Sequence, residues 1–427
     1  MIDPETAVDV LPQFHTVGIG AGPANLSLAA LFESSTDERI ALFDRQPGPS
    51  WHNRLLHTGV RMQTSWLKDL VSLVDPRHEL TFLNYLVTSG RLFALMNSQF
   101  DVIPRLEYVR YLAWASARLN NVNYGVDVDR ISFDDEGFVI YSGDQPMARS
   151  EHLVIGMGSA PVIPDTLAGL PPERGFIADE LAERLDDMAD LDAPIAVVGG
   201  GQTGLEATLK LLNRGYTGIS WFGRRLWFDT IDDSPCANDV YRPAHIEALQ
   251  RLSPPTRRRV ISGLDPTGDA LTPGAMRGLY QANYDALLAL GKFPVTLYPA
   301  RDVTSATVDG DQVLLTCQTP EHREEHRAAY VVIATGRANA PVPFDDELRD
   351  RVEVTDEGEL VVEFDFSVRW KGMNGHRIYA LNRARSNHGL TDTNLTLLPV
   401  RSAIVLNSLF QREMFEIHDE LCPVNWG

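Results

Sequence analysis

Two glycine-rich segments of this 427-residue chain have the composition and spacing of turns that bind phosphate. The first reads Gly18-Ile19-Gly20-Ala21-Gly22-Pro23, and the second reads Gly199-Gly200-Gly201-Gln202-Thr203-Gly204. A glycine turn lets the backbone approach a pyrophosphate closely, and the helix that follows supplies amide donors and the positive end of its dipole. The candidate dinucleotide-binding residues are Gly18, Gly20 and Pro23 in the first turn, and Gly199, Gly201, Gln202 and Gly204 in the second.

The residues beyond each turn indicate which dinucleotide it binds. Asp44 follows Gly20 by 24 residues, at the end of the next predicted strand, where a carboxylate can accept the ribose hydroxyls of an adenine dinucleotide. The second unit has no acid there and carries Arg224 and Arg225 instead. Arginine pairs with the 2′-phosphate of NADPH, which aspartate would repel, so this half favours NADPH over NADH. The alternative for both arginines is a solvated surface position.

Each turn lies in a strand, turn, helix, strand pattern. Apolar runs at 14–18 and 40–43 flank the first turn, and Ile195–Val198 and Ile219–Phe222 flank the second. Such units build a parallel sheet covered by helices. The two units are 181 residues apart when Gly18 is matched with Gly199. The sequence therefore predicts an α/β fold with two Rossmann-like dinucleotide-binding domains and a small helical substrate region.

Two further apolar strands that run into glycine turns mark where the chain crosses between these domains. They lie at 153–161 and 330–336, and the second contains Thr335 and Gly336, two more candidate cofactor contacts. The stretch 161–194 is rich in proline and aspartate and is interpreted as a connector, and 339–343 as the return. We therefore predict three parts. Residues 1–165 form the first dinucleotide domain, 166–344 the second with substrate-region insertions, and 345–427 the return with a C-terminal lid helix.

Composition excludes several classes of protein. The chain has 38 Lys and Arg against 58 Asp and Glu, a net charge of −20, and no basic run of five, which argues against nucleic-acid or anionic-membrane partners. No apolar stretch is long enough to span a bilayer, and the N-terminus does not have the pattern of a signal peptide. Three scattered cysteines form neither a disulfide framework nor a zinc site, so we expect a reducing cytoplasm and no metal.

A protein with two dinucleotide sites is interpreted as a flavoprotein, and the scattered cysteines exclude a disulfide reductase. The chain resembles the siderophore-type amine N-hydroxylases, namely the lysine and ornithine N-monooxygenases and their diamine-acting relatives. The resemblance covers almost the whole length, and the segment 62–71, Met-Gln-Thr-Ser-Trp-Leu-Lys-Asp-Leu-Val, is its most specific part. Its other motifs are Gly18 to Ser27, Ser50-Trp51-His52, Phe82 to Leu86, Pro104 to Leu112, Val198 to Gly204 and Asn387-His388-Gly389-Leu390.

This resemblance implies FAD and NADPH as cofactors. NADPH would reduce FAD, and the reduced flavin would use O2 to hydroxylate an uncharged primary amine. A free alkylammonium has a pKa of about 10.4, so the pocket must depress it. The rival interpretations are a general flavin monooxygenase for soft sulfur or nitrogen groups, and an electron-transfer or binding flavoprotein. No classical nucleophile is required.

The resemblance also implies roles for individual residues. Gln63 would lie beside the flavin near the oxygen adduct, Lys68 would pair with a substrate carboxylate, and Asn238 would lie near the amine and the nicotinamide. The alternatives are a polar turn for Gln63, an ion pair with Asp69 for Lys68 and a turn or cap for Asn238. The remaining implied contacts are Trp51, His52 and Leu395 for the cofactors, and Thr267 and Thr396 for the substrate. His52 and His388 are expected to pack rather than to transfer protons.

The sequence indicators of the substrate conflict. The Thr267-Gly268-Asp269 stretch is similar to the lysine and diamine branch, whereas Asn238 stands where the lysine branch often has an acid. If Lys68 faces the pocket, an amino-acid carboxylate is satisfied; if it points away, cadaverine or putrescine fits equally well. We expect L-lysine ahead of a diamine, with L-ornithine third. A homo-oligomer is expected by family analogy alone.

Overall fold

The computed structural model describes residues 11–51, 60–63, 69–100, 102–134, 136–232, 234–268, 270–372, 375–419 and 421–425. Its strands are β1 (Gln13–Ile19), β2 (Ile40–Asp44), β3 (Val122–Tyr124), β4 (Arg130–Asp134), β5 (Gly137–Ser142), β6 (Gln145–Ile155), β7 (Ser159–Pro161), β8 (Gly175–Ile177), β9 (Ile195–Val198), β10 (Ile219–Phe222), β11 (Val295–Tyr298), β12 (Asp302–Asp309), β13 (Gln312–Gln318), β14 (Arg323–Ala328), β15 (Tyr330–Ile333), β16 (Arg337–Asn339) and β17 (Ile378–Ala380).

The helices alternate with these strands along much of the chain. They are α1 (Pro23–Ser35), α2 (Phe82–Thr88), α3 (Leu92–Asn97), α4 (Arg105–Ser116), α5 (Asp165–Ala168), α6 (Leu181–Arg184), α7 (Gln202–Arg214), α8 (Pro235–Asn238), α9 (Pro243–Arg251), α10 (Pro254–Gly263), α11 (Asp265–Gly268), α12 (Pro273–Leu290), α13 (Asp346–Arg351), α14 (Arg385–His388) and α15 (Leu398–Leu409).

Two separate sheets, one mixed and one wholly parallel, confirm the predicted α/β fold; in the mixed sheet the pairs β4–β5 and β5–β6 are antiparallel. The first sheet has the order β3-β2-β1-β6-β5-β4; β17 also pairs with β6, and β1, β2, β3, β6 and β17 are mutually parallel where they pair. The second sheet has the order β11-β10-β9-β15-β8, with all its pairs parallel. The strands β1 and β9, which precede the glycine turns, are buried and apolar where they approach the turns, as expected for strands covered on both faces.

The two strand, turn, helix, strand units are equivalent, but not in the predicted register. Both helices α1 and α7 have 13 residues, and their N-caps are Gly22 and Gly201, which are 179 residues apart rather than 181. Gly20 and Gly199 occupy matching places, because their N–H groups donate to the carbonyls of Phe43 and Phe222 at the ends of β2 and β10. The correct match therefore pairs Gly20, not Gly18, with Gly199.

The stretch 161–194, interpreted from the sequence as a connector, also has secondary structure of its own. This stretch contains α5, β8 and α6, and β8 forms the edge of the second sheet beside β15. These elements were not predicted, because three-residue strands and one-turn helices are too short to leave a periodic pattern. The three-stranded antiparallel sheet β12-β13-β14 was also not predicted.

The chain crosses between the sheets twice, and the two crossings pair with each other. β7 and β16 form a two-stranded antiparallel ribbon in which Ala160 is opposite Ala338. Arg337 binds this ribbon, because its guanidinium donates to the Ser159 carbonyl at 2.8 Å and pairs with Asp179 at 3.0 Å. The boundaries near 165 and 344 stay predictions.

Candidate functional site

The first glycine turn is shaped by contacts inside the protein. Gly20 has φ +93°, and a Cβ added there would lie 2.5 Å from the Gly156 carbonyl oxygen. The Asn25 amide donates to the Gly20 carbonyl at 2.7 Å. The Ala21 N–H donates to Asp44 Oδ2 at 2.7 Å, so this carboxylate supports the turn besides being available to a ribose. Glycine is required at 20 because L side chains avoid this backbone region and no space is left for one.

The open face of the first turn lies at Gly22 rather than at Gly18. A Cβ on Gly18 would come 2.5 Å from the Leu42 side chain, so this glycine permits strand and helix packing. A Cβ on Gly22 would meet nothing within 4 Å. Gly22 is also the N-cap of α1, and no side chain caps that helix; Pro23 follows it. Uncapped amides beside open space suit a pyrophosphate, and the residues present therefore fit a dinucleotide.

The second glycine turn has the same construction. Gly199 has φ +132°, and a Cβ there would lie 2.0 Å from the Ala334 carbonyl oxygen. A Cβ on Gly204 would lie 2.0 Å from the Gly199 carbonyl oxygen, so Gly204 allows α7 to pack closely on the turn. Gly201 caps α7 without a side-chain hydrogen bond and faces open space. This turn also fits the pyrophosphate of a dinucleotide.

Two exposed arginines follow β10 at the edge of the sheet where the second turn lies. The Arg225 carbonyl accepts from the Ala300 N–H at 2.8 Å, which fixes the backbone while the side chains of Arg224 and Arg225 stay exposed. Trp227, next but one, is 64% exposed. In the corrected register Gly223 occupies the place of Asp44, so no carboxylate opposes a 2′-phosphate at this position.

A cleft of about 300 Å3 brings several of the predicted residues together. Of those predicted, Trp51, Gln63, Gln202 and Leu395 line it. Its other lining residues are Arg61, Met62, Arg105, Thr203, Glu206, Tyr241, Gly268, Leu390, Thr393 and Asn394. The cleft thus joins residues near the first turn, the start of α7 and the segment before α15.

A buried ion pair that the sequence did not reveal crosses this cleft. The Arg105 guanidinium on α4 donates to both carboxylate oxygens of Glu206 on α7, at 3.0 and 2.7 Å. Both side chains are almost fully buried. Gln202 donates to Glu206 at 3.0 Å and accepts from the Thr272 N–H at 2.9 Å. The side-chain amide of Gln202 is therefore part of this hydrogen-bond network. The backbone of Gln202 remains for the predicted contact with the cofactor. A spacing of 101 residues gives no local signal for such a pair.

The predicted substrate residues lie at the cleft's edge or point elsewhere. The Asn238 amide is exposed and donates to the Ser234 carbonyl at 3.1 Å, while Tyr241, one turn later, lines the cleft. The Thr267 hydroxyl donates to the Leu264 carbonyl at 2.7 Å, and its carbonyl accepts from the Tyr241 hydroxyl at 3.0 Å. Of the predicted cofactor contacts outside the glycine-rich turns, the Thr335 hydroxyl donates to the Val162 carbonyl at 2.5 Å, and Gly336 has φ +102°. Their roles stay predictions.

His52 and Lys68 lie outside the described residues. Asp69, the predicted alternative partner of Lys68, is described and buried. Its carboxylate accepts from the N–H groups of Val71, Ser72 and Phe82 at 2.9, 2.7 and 2.7 Å. These hydrogen bonds show that Asp69 stabilises the loop before α2.

Several buried polar atoms beside the cleft have no hydrogen-bond partner among the described residues. Among the described residues, these include the Tyr108 hydroxyl, the Thr396 hydroxyl and Nε of Arg401. An unpartnered buried polar atom costs about 1–3 kcal/mol, so such a group is an observation in favour of a bound polar molecule. Tyr108 contacts Trp51, whose ring centroid lies 5.5 Å away, and Thr396 follows the cleft residue Leu395. The surroundings of the first turn therefore fit a large polar cofactor.

Arg401 is buried beside a carboxylate. Its guanidinium lies 3.7 Å from Asp392 and donates to the Asn382 side chain at 2.7 Å. Burial raises the pKa of Asp392 to about 6, and the positive Arg401 opposes this shift.

His388 packs against aromatic side chains, as expected. Its ring stacks on Phe366 at 4.3 Å, Nε2 binds the Phe364 carbonyl at 3.0 Å, and burial lowers its pKa to about 4. His15, Glu151 and His152 cluster at the opposite edge of the first sheet. The Arg377 N–H donates to His152 Nδ1 at 3.1 Å. The proton of the neutral ring is therefore on Nε2, and Nε2 is not a metal ligand.

A model of the L-lysine 6-monooxygenase/L-ornithine 5-monooxygenase family matches residues 13–339. The L-lysine N6-monooxygenase of Escherichia coli is 29% identical over 418 residues, which cover 96% of this chain and 97% of that protein. The putrescine N-hydroxylase of Acinetobacter baumannii is 25% identical over 420 residues, with 96% and 92% covered.

Solved structures of similar fold include an ornithine N-hydroxylase of Kutzneria sp. 744 with reduced FAD, NADP⁺ and L-ornithine. It has a TM-score of 0.85 and 25% identity, and the match covers 94% of this chain and 99% of that one. The FAD-bound cadaverine monooxygenase of the desferrioxamine pathway from Erwinia amylovora has a TM-score of 0.88 at 23% identity, with 96% and 97% covered. No helix within the described ranges has the length and apolar content that a membrane crossing requires.

Proposed function

Since the chain belongs to the L-lysine 6-monooxygenase/L-ornithine 5-monooxygenase family and is a flavin-dependent N-monooxygenase with FAD and NADPH as cofactors, we propose that it hydroxylates the side-chain amine of L-lysine in the biosynthesis of a hydroxamate siderophore. When bound and reduced, FAD activates O2 and supplies one oxygen atom to the amine nitrogen. The rest of the reaction depends on what the protein's own residues bind, orient and keep dry.

The two glycine turns divide the cofactors between them. Gly20 and Gly22, with the uncapped start of α1, hold the FAD pyrophosphate, and Asp44 faces its ribose. Gly199 and Gly201 hold the NADPH pyrophosphate at the start of α7, and Arg224 and Arg225 bind the 2′-phosphate. The support is the paired construction of both turns, with open space at each N-cap and glycine instead of a carboxylate directly after β10.

The cleft between the turns receives the amine. Gln63 lines it and offers an amide that can donate to an oxygen atom near the flavin. Trp51, Met62 and Leu395 supply apolar surface that excludes water. Desolvation of the amine against this apolar surface disfavours its charged form, so the bound nitrogen loses its proton and regains its lone pair.

The charge of the cleft is the observation that favours an amino acid over a diamine. Arg61 lines the cleft, and among the described residues it forms no ion pair; its guanidinium lies 4.2 Å from the centre of the Phe100 ring. The other lining guanidinium, Arg105, is neutralised by Glu206. The described lining therefore has one cation in excess, which attracts the α-carboxylate of L-lysine and repels the second ammonium of cadaverine or putrescine. Lys68 is the second proposed partner of that carboxylate.

A diamine is the second candidate, because putrescine N-hydroxylases are also similar over nearly the whole chain. Turnover of L-lysine, L-ornithine, cadaverine and putrescine should be compared by measuring hydroxylamine formed per NADPH consumed. Cadaverine is L-lysine without the carboxylate and is the matched control substrate. We expect L-lysine to be preferred. Preference for cadaverine would refute the amino-acid assignment, and NADPH consumption without any hydroxylamine would refute N-hydroxylation of these amines.

Variants locate the carboxylate contact. Arg61→Gln and Lys68→Ala are each expected to raise the KM for L-lysine by about tenfold or more, and to leave the KM for cadaverine within about twofold. Equal losses for both amines would show that the residue supports the fold or the flavin instead. Bound FAD, measured by its visible absorbance, should be unchanged in both variants.

A further inference from the structure

The loop that follows β10 exposes two large apolar side chains next to the arginine pair. Leu226 and Trp227 come directly after Arg225 and are 78% and 64% exposed. Phe228, the next residue, is buried. Single exposed apolar residues are ordinary on a protein surface, but two in succession beside a proposed phosphate site indicate a contact surface for a ligand.

The end of β11 fixes the first half of this loop. The Gly223 N–H donates to the Tyr298 carbonyl at 3.0 Å, and the Gly223 carbonyl accepts from the Arg301 N–H at 2.9 Å. The Ala300 N–H donates to the Arg225 carbonyl at 2.8 Å. Three backbone hydrogen bonds therefore set the path of the chain through the arginine pair.

The second half of the loop is fixed by Phe228. Its ring centroid lies 4.3 Å from that of Trp221 on β10. A Cβ added to Gly200 would lie 3.4 Å from the Phe228 ring, so this ring rests against the middle of the second glycine turn. The Asp229 carbonyl, one residue later, accepts from the Leu271 N–H at 3.0 Å. The exposed indole that precedes Phe228 is therefore held at the surface beside the turn.

The covalent structure of NADPH sets where its adenine must lie. The 2′-phosphate is attached to C2′ of the adenosine ribose, and adenine is attached to the neighbouring carbon, C1′. A 2′-phosphate bound by Arg224 and Arg225 therefore brings the base next to this loop. Adenine is a planar ring that stacks on aromatic side chains, and Trp227, two residues after Arg225, offers an uncovered indole.

We propose that Trp227 stacks on the adenine of NADPH, an inference that rests on the proposed 2′-phosphate contacts of Arg224 and Arg225. The loop then divides the recognition of the cofactor. The arginines bind the 2′-phosphate, which NADH lacks, whereas the indole binds the adenine, which both dinucleotides contain. Trp227 therefore contributes affinity without selecting between them.

Dissociation constants of NADP⁺ and NAD⁺ test this division. They are measured by isothermal titration calorimetry on the FAD-loaded protein. Trp227→Ala is expected to raise both constants by about tenfold, and by the same factor, because the lost contact is to the shared base. Arg224→Ala should raise the constant for NADP⁺ far more than that for NAD⁺. Trp227→Phe keeps an aromatic ring and should stay within about threefold of the wild type.

Tryptophan fluorescence locates the base directly. Adenosine 2′,5′-bisphosphate carries the adenine and the 2′-phosphate of NADPH but no nicotinamide, so it reports on this end of the site alone. Its binding should quench part of the wild-type fluorescence. In Trp227→Phe the ligand should still bind, while that part of the quenching is lost.

Tyr280→Ala on α12 is the matched control, because it removes another exposed aromatic ring from a helix that packs on the second sheet. It should leave both dissociation constants unchanged, and the visible absorbance of FAD should be the same in all variants. If Arg224→Ala is selective but Trp227→Ala changes neither constant, the stacking is refuted and the arginine contacts stand. A loss confined to NADP⁺ in Trp227→Ala would also overturn the stacking, since the indole would then act on the phosphate. If neither variant changes binding, the placement of NADPH at this loop fails together with the stacking.

Discussion

Replacing Glu206 with glutamine is expected to destabilise the protein and to loosen the contact between its two halves. Glu206 accepts two hydrogen bonds from Arg105, and the two side chains are 5% and 10% exposed. The substitution keeps the shape of the side chain and removes its charge, which leaves the Arg105 guanidinium buried without a counter-ion. Breaking a buried pair in this way costs about 3–5 kcal/mol.

Urea unfolding of the FAD-loaded protein measures this cost, and Asp309→Asn is the matched control. Asp309 pairs with Arg327 at 2.6 Å, but both side chains are about half exposed, so its loss should cost less than about 1 kcal/mol. A double variant, Arg105→Leu with Glu206→Leu, removes both charges and should recover much of the stability lost by Glu206→Gln.

The same pair should position the nicotinamide half against the flavin half, because α4 and α7 belong to different sheets. Anaerobic reduction of FAD by NADPH is therefore expected to slow in Glu206→Gln by about tenfold or more, with FAD still bound. If Glu206→Gln and Asp309→Asn lower the free energy of unfolding by the same amount, the Arg105–Glu206 pair contributes no more than a surface ion pair, and the reasoning fails.

Three further perturbations have defined outcomes. Gly20→Val should yield protein without FAD, because its Cβ would lie 2.5 Å from a carbonyl oxygen, whereas Gly22→Ala should fold with a smaller loss of FAD affinity; visible absorbance distinguishes them. Alanine at Arg224 and Arg225 should raise the KM for NADPH far more than that for NADH, and equal increases would contradict a 2′-phosphate contact. The pKa of His388 is about 4 in the fold and about 6.5 unfolded, so the unfolded chain binds more protons between these values and the stability contributed by the neutral ring is lost as pH falls from 6.5 to 4. His388→Gln should flatten the dependence of unfolding free energy on pH in that window, and an unchanged slope would contradict the lowered pKa.

Much of the fold could be predicted because its signals are local. The strands Ile195–Val198 and Ile219–Phe222 have the predicted bounds, and Gly215 ends α7 in a left-handed conformation as expected of a C-terminal glycine. The match between the two units was two residues in error, since three consecutive glycines allow several alignments of the turns. Only the hydrogen bonds of Gly20 and Gly199 identify the equivalent positions.

The candidate site was predicted less completely, because most of its geometry comes from contacts between distant residues. Trp51, Gln63 and Leu395 were expected near the cofactors and do line one cleft. Arg105 lies in one of the family motifs, but nothing in its neighbourhood in the sequence indicates that Glu206 neutralises it. The sequence predicts Gly18 rather than Gly22 as a cofactor contact, because a sequence shows where a Cβ is absent and not which atom would meet it.

The glycine turns and the crossings between the sheets are coupled by the same contacts. In the first half Gly20 packs on the Gly156 carbonyl, three residues before β7, and in the second half Gly199 packs on the Ala334 carbonyl, three residues before β16. β7 and β16 pair with each other. Each glycine-rich turn therefore contacts the short segment that leads into this shared ribbon. A larger residue at either glycine must therefore displace the crossing as well as the phosphate site, so its effect should extend to the other cofactor.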